Sequence, residues 1–192
     1  MIIEVEDDML RDIKPWSVLM HQVNCLGIAG AGIAKQLRDK YPAWYGMYKR
    51  HCDQVEFKEN LLGTVHAMAV GHNVIVCSAF AQLGISKREP VTDYDAWELI
   101  CPKIESEIRT RNSEKNMNWT LHIPYGIGCG LAGGDWEKMR GIFEYYFGRS
   151  PVDLYIHNMP EKPQLDIGRD LMEKPFIQEF EYDRIVPADF RS

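Results

Sequence analysis

Residues 21–32, HQVNCLGIAGAG, bring a histidine, an asparagine and three glycines, Gly27, Gly30 and Gly32, into one short stretch. An apolar run precedes it and a helical pattern follows at once. Glycine lets backbone amides approach a ligand closely, and a helix N-terminus adds partial positive charge. The chemistry these types can do is therefore the holding of a phosphate. A second stretch repeats the pattern: Gly126, Ile127, Gly128, Cys129, Gly130 and Leu131 follow a strand-like run and precede Gly133, Gly134 and another helical pattern. Two such loops can clamp one pyrophosphate between them. Neither is a Walker motif, since no Gly-Lys-Ser/Thr occurs, and the first reads GxxGxG rather than the GxGxxG of nicotinamide folds.

Three side chains beside these loops carry further possibilities. Asn24 stands where strand meets loop, and its amide can both donate to and accept from sugar hydroxyls. The plainer reading is an Asx turn that supports its own loop. His21 sits near the C-terminal end of its strand, where α/β proteins collect their ligand sites; a lone histidine there also serves as a structural group. Asp93 opens a helix after a polar segment, as a candidate acid or base or as a simple first-turn carboxylate. Cys25 and Cys129 lie within the glycine loops with no base partner in sequence, so small apolar fillers suffice as their reading.

The elements that must position these groups follow from periodicity. Strands are expected at 2–5, 17–23, 61–70, 74–80, 119–124 and 152–157, with the third and fourth joined as a hairpin through Gly71, His72 and Asn73. Helices are expected at 33–41, stopped by Pro42, at 43–52, at 93 to about 111 with Thr92 as N-cap, and at 136–147 with Asp135 as N-cap. Trp44, Tyr48 and Cys52 share one face, as do Trp97, Ile100, Cys101, Ile104 and Ile108. Pro102 falls inside the third helix and should kink it or end its first part. Alternating strands and helices give an α/β class, with a largely parallel or mixed sheet covered on both faces. After Pro160 the prolines at 163, 175 and 187 break every period. Residues 1–159 read as one domain and 160–192 as an appendage packed on it or on a partner.

Composition narrows the partners. The 192 residues carry a net charge of −6, which argues against a nucleic-acid backbone. A small anion remains compatible, because loop amides bind it without net positive charge. No apolar run approaches the ~20 residues of a membrane span, and the acidic N-terminus is no secretory signal. Five cysteines without a CxxC pair read as reduced thiols of a cytoplasmic protein, and six histidines without HExxH give no support to a zinc site.

The segments VNCLGIAGAGIAKQLRDKYPAWYGMYKRHC, FAQLGISKREPVTDYDAW and IPYGIGCGLAGGDW together resemble the macrodomain family, in order and spacing, over about residues 1–158. The His21-Gln-Val-Asn24-Cys25 arrangement is similar to the branch of ADP-ribose 1''-phosphate phosphatases. The resemblance implies a three-layer sandwich with a mixed sheet of about six strands, an ADP-ribose ligand across the strand ends, and no cofactor or metal. It implies that Asp8 contacts adenine, that Asn24 meets the distal ribose, and that Gly30 and Gly32 border that ribose and the diphosphate. Gly126 to Leu131 then cradle the phosphates through their amides, and His21 lies near the terminal phosphate. On this reading His21 activates water or protonates the leaving oxygen, with Asp93 as a second acid or base. A branch that uses a lysine with a following aspartate has Ala132 in place of that aspartate here. Two other readings stand beside phosphate release: an ADP-ribosyl hydrolase acting on a modified protein or nucleic acid, and a reader that binds ADP-ribose without chemistry.

Overall fold

The computed structural model describes residues 1–159, apart from Lys87 and Asn116. The appendage expected at 160–192 lies outside the described residues. Six strands form one sheet: β1 (Ile2–Val5), β2 (Ser17–Asn24), β3 (Val65–Gly71), β4 (Val74–Gln82), β5 (Thr120–Pro124) and β6 (Leu154–His157). Their order is β1-β6-β5-β2-β4-β3, and every neighbouring pair is parallel except the β3–β4 hairpin. His72 and Asn73 at its tip both take positive φ, the conformation that two-residue hairpin turns require. The sheet is therefore mixed, as expected.

The central strands β2 and β4 are buried almost throughout, whereas β5 and β6 alternate. Continuous burial follows from having helices on both faces. Helices α1 (Gly32–Lys40) and α2 (Pro42–Gln54) cover one face, where Leu37, Trp44, Tyr48 and Cys52 pack on Leu19, Val23, Val76 and Phe80. Helices α3 (Tyr94–Lys115) and α4 (Trp136–Phe147) cover the other, where Trp97, Ile100, Met139 and Phe143 pack on Met20, Cys77, Leu121 and Ile123.

Several boundaries differ from the sequence expectations for local reasons. The segment before β3 forms a 3₁₀ turn at Lys58–Leu61, so the strand opens at Val65 rather than at 61. Asp93, not Thr92, caps α3: its carboxylate accepts the N–H of Ala96 at 2.8 Å. The Thr92 hydroxyl is drawn instead to the carbonyl of Gly128, at 2.6 Å. Pro102 does not end α3, which runs on to Lys115. A proline there leaves the carbonyl four residues back, that of Glu98, without its helical donor. The hydroxyl of Tyr146, on α4, donates to that carbonyl at 3.2 Å. Asp135 caps α4 as expected, accepting from the N–H of Lys138. No helix among the described residues is long and apolar enough to cross a membrane.

Candidate functional site

The C-terminal ends of β2, β4, β5 and β6 open onto a cleft of ≈ 890 Å³. That size suits a ligand larger than a single nucleotide base. The loops expected to bind phosphate form its two long walls, and both present unpaired donors.

On one wall, α1 starts at Gly32 with Ala31 as its N-cap, and no side chain caps the helix. Gly30, Ala31, Gly32, Ile33 and Ala34 all line the cleft. The first turn of a helix has N–H groups without internal partners. Here the residues that carry them line the cleft, and no acidic side chain stands in the first turn. Gly32 takes φ +56, which suits glycine at the point where the loop turns into the helix.

On the opposite wall the loop after β5 folds on itself. The N–H of Cys129 donates to Gly126, that of Gly133 to Gly130, and that of Gly134 to Gly128. Among the described residues the N–H groups of Gly126, Gly128, Gly130, Leu131 and Ala132 make no backbone hydrogen bond, and these residues line the cleft. Two sets of free amides thus look at one another across a space without lysine or arginine among its described lining residues. Anion binding by backbone dipoles is what such an arrangement does.

A polar network beneath the loops sets their height. The Trp97 indole donates to Oε1 of Gln22 at 2.9 Å, and Nε2 of Gln22 donates to Thr92 Oγ1 at 3.0 Å and to Gln82 Oε1 at 3.3 Å. Gln82 donates in turn to the Gly84 carbonyl at 2.6 Å. Indole N–H can only donate, so it fixes which way both glutamine amides point. A Cβ added at Gly128 would lie 2.5 Å from Gln22 Oε1, so glycine is needed there for close approach as well as for its φ of +76.

The sequence-predicted residues divide into three groups. Gly30, Gly32, Gly126, Ile127, Gly128, Gly130, Leu131 and Asp8 line the cleft together. Asn24 lines it as well, but its amide is mostly spent on the loop it begins. Oδ1 accepts from Leu26 and Ile28, Nδ2 donates to the Ile28 carbonyl at 2.7 Å, and the Tyr48 hydroxyl donates to the Asn24 carbonyl at 2.6 Å. One N–H of Nδ2 is left for a ligand.

Cys129, His21 and Asp93 are not part of the cleft lining. Cys129 turns back, its thiol toward the Ile127 carbonyl. The expected role of His21 as a base in the cleft does not fit the structure. Strand alternation sends its ring to the face that packs on α2, where it is wholly buried and meets Trp44 edge-on, with centroids 5.0 Å apart. Neither ring nitrogen has a partner of hydrogen-bond geometry. Burial holds its pKa down to about 3, so the ring stays neutral. Asp93 is occupied by capping α3.

The structure adds groups that the sequence did not single out. Gln22, Gln82, Ser86, Asp7 and His157 all line the cleft. His157 pairs through Nδ1 with the Asp7 carboxylate, and its Nε2 meets Nδ1 of His122 at 2.8 Å. Nε2 of His122 meets Thr120 Oγ1 at 2.8 Å. Among the described residues no group of three or more His, Cys, Asp or Glu side chains is placed to hold a metal ion.

No protein-family model matches the chain. An ADP-ribose 1''-phosphate phosphatase of Scheffersomyces stipitis is 38% identical over 164 residues, which cover 76% of this chain and 95% of that protein. One from Saccharomyces cerevisiae is 26% identical over 171 residues, covering 79% and 96%. The match to an Aspergillus oryzae protein of the same name is 40% identical over 61 residues and spans 30% of that protein's length. Among solved structures, the macrodomain of Mycobacterium tuberculosis DarG superposes with a TM-score of 0.66 at 24% identity, over 83% of this chain and 98% of that one.

Proposed function

This chain belongs to the macrodomain family, and on that premise we propose that its cleft binds ADP-ribose and releases the terminal phosphate of ADP-ribose 1''-phosphate. The observation that carries the reading is the pair of facing amide sets: the uncapped start of α1 and the free N–H groups of Gly126, Gly128, Gly130, Leu131 and Ala132. A diphosphate fits between them. The full-length likeness to relatives named for this activity supports the choice of substrate.

Strand order gives the ligand its direction. Asp7, Asp8 and His157 stand at the β1–β6 end, and Gln82, Ser86 and Gly32 at the β2–β4 end. β6 and β4 are three strand spacings apart, about 14 Å. The base lies at the acidic end and the distal ribose with its phosphate at the other. There the bond between phosphorus and the sugar oxygen breaks, a bond from the water oxygen to phosphorus forms, and one proton of the water passes to the leaving sugar oxygen. The amides stabilise the charge gathered on the phosphoryl oxygens. Gln82 and Gln22, with orientations fixed by Trp97, hold the water. His21 and Asp93 take no direct part.

A lysine-dependent ADP-ribosyl hydrolase is disfavoured, because Ala132 stands where that branch carries its aspartate. A protein with five free thiols suits a reducing, cytoplasmic setting, and the ligand chemistry calls for nucleic acid only as an ADP-ribosylated substrate.

The test is phosphate release from ADP-ribose 1''-phosphate under single-turnover conditions, beside calorimetric titration with ADP-ribose. Release together with binding is expected, with AMP left intact. Binding without release would make the protein a reader. Absence of both would remove the ADP-ribose reading.

A further inference from the structure

Between β4 and α3 the chain makes a loop over residues 83–92 that is closed at its base, where the Asp93 N–H donates to the Ala81 carbonyl at 2.8 Å. Ser86 lies in this loop and lines the cleft at the β2–β4 end. We propose that the Ser86 hydroxyl is a phosphate-binding group, the donor that meets the terminal phosphate on the distal ribose of the ligand. This rests on the ADP-ribose 1''-phosphate reading above and deepens it.

A serine hydroxyl offers two acceptor sites and one donor. Both acceptor sites of Ser86 are taken by its own turn: Oγ accepts the N–H of Arg88 and the N–H of Glu89, each at 3.1 Å. What is left is the O–H, which the tetrahedral oxygen sets apart from those two directions. Among the described residues it donates to no group. Accepting two hydrogen bonds also polarises the O–H and strengthens it as a donor. A group restricted to donating suits an ionised phosphoryl oxygen, which only accepts. The serine forms no covalent bond in this role, and its proton stays on Oγ.

The loop is tied down on both sides of Ser86. Before it, the Gln82 amide donates to the Gly84 carbonyl at 2.6 Å. After it, the Val91 N–H donates to the Ala132 carbonyl at 2.8 Å, and the Thr92 hydroxyl donates to that of Gly128 at 2.6 Å. Pro90 packs against Gly133, where an added Cβ would stand 3.2 Å from Pro90 Cα. Ser86 is thus held in place relative to Gln82 and to the glycine loop together. A donor fixed before the ligand arrives needs no reorganisation as charge gathers on the phosphoryl oxygens. The facing amide sets take up the diphosphate, and the terminal phosphate brings further oxygens to the β2–β4 end. No lysine or arginine stands among the described lining residues, so neutral donors must meet those oxygens.

Steady-state phosphate release from ADP-ribose 1''-phosphate by the full chain, with ADP-ribose as competing product, tests this. Ser86→Ala removes both the donor and the acceptor of the turn. Ser86→Asp keeps an acceptor for the Arg88 and Glu89 N–H groups and removes the donor. Ser86→Thr keeps both. In Ser86→Ala kcat/KM should fall about ten- to a hundredfold, the scale of one hydrogen bond to a charged group. It should fall at least as far in Ser86→Asp, and Ser86→Thr should recover most of the loss. The inhibition constant of ADP-ribose, which lacks the terminal phosphate, should move by less than about threefold in Ser86→Ala. Three results overturn the proposal alone. Parent-like kcat/KM in Ser86→Ala shows that no contact is made, and parent-like kcat/KM in Ser86→Asp shows that the serine serves only its turn. An ADP-ribose inhibition constant that rises as steeply as kcat/KM falls shows that the loop has moved. No phosphate release by the parent chain, with the fold intact by circular dichroism, overturns the phosphatase reading and this proposal with it.

Discussion

Placing a carboxylate at residue 31 should make the protein more stable and nearly unable to bind. Ala31 is the N-cap of α1, with φ −150 and ψ 170, the extended conformation that a capping aspartate adopts. In Ala31→Asp the new carboxylate accepts the N–H of Ile33 or Ala34, which now faces the cleft. Capping contributes about 1 kcal/mol, and the helix dipole adds about 0.3–1 kcal/mol. For a chain of this size that raises Tm by roughly 3–8 °C. The same N–H groups are then lost to a phosphate, at about 1.5–3 kcal/mol for a charge-assisted bond. Repulsion between the carboxylate and a phosphate about 4 Å away adds roughly 1–4 kcal/mol, depending on solvent access. The sum is about 2.5–7 kcal/mol, a loss of at least about 60-fold in affinity for ADP-ribose. Calorimetry and thermal melting measure both changes on one sample. Ala31→Asn separates the contributions, keeping the cap without the charge and losing only about tenfold. If Ala31→Asp binds within threefold of the parent protein, the helix N-terminus is not an anion site. If it melts lower, the cap geometry is wrong.

Other expectations are more local. Gly128→Ala forces Gln22 aside and strains a φ of +76, so ADP-ribose affinity should fall at least tenfold with about 1–2 kcal/mol lost in urea unfolding. Thr92→Val removes the tie to the Gly128 carbonyl, and affinity should fall by about tenfold with Thr92→Ser restoring it; equal binding by both variants would show that the tie does not position the loop. His21 and His122 are buried neutral, with pKa values of about 3 and about 4 against 6.5 when unfolded. The unfolded chain therefore binds more protons below pH 6.5, and stability should fall toward pH 4 by about 1.4 kcal/mol per pH unit for each histidine. Urea unfolding at pH 7, 6, 5 and 4 should show that slope, and His21→Leu should flatten it by one proton while sparing phosphate release. Tyr146→Phe should cost about 0.5–1 kcal/mol in the parent chain and close to nothing beside Pro102→Ala, which restores a donor to Glu98; additive losses in that double-mutant cycle would disprove the compensation.

The fold was legible because its signals are local. Continuous apolar runs mark β2 and β4, the aromatic period of Trp44, Tyr48 and Cys52 marks α2, and the capping of Asp135 marks α4. The glycine loops were legible because strand, loop and helix follow one another without a gap. The side chains of the site were harder to place. His21 was read from its position along β2, yet alternation puts residues 21 and 22 on opposite faces. The aromatic face of α2 had to cover Leu19, His21 and Val23, which leaves Gln22 to the other side. Asp93 and Thr92 could exchange roles because either can cap a helix. The choice depends on the Gly128 carbonyl, 36 residues further along the chain. The Asp7–His157–His122–Thr120 chain joins elements up to 150 residues apart, and no spacing rule in a single sequence brings them together.

The proline inside α3 does more than interrupt a ladder. The Glu98 carbonyl that it leaves open is met by one hydroxyl, that of Tyr146 on the neighbouring helix. Slide α4 by a single turn, about 5.4 Å, and that hydroxyl is gone and the carbonyl is left to solvent. The rest of the contact, built from Trp97, Phe143 and other apolar side chains, tolerates small shifts because apolar packing has no direction. The missing donor supplies the direction. It acts as an index mark at the surface between two cylinders, favouring one level of α4 along α3 by about the worth of a single hydrogen bond.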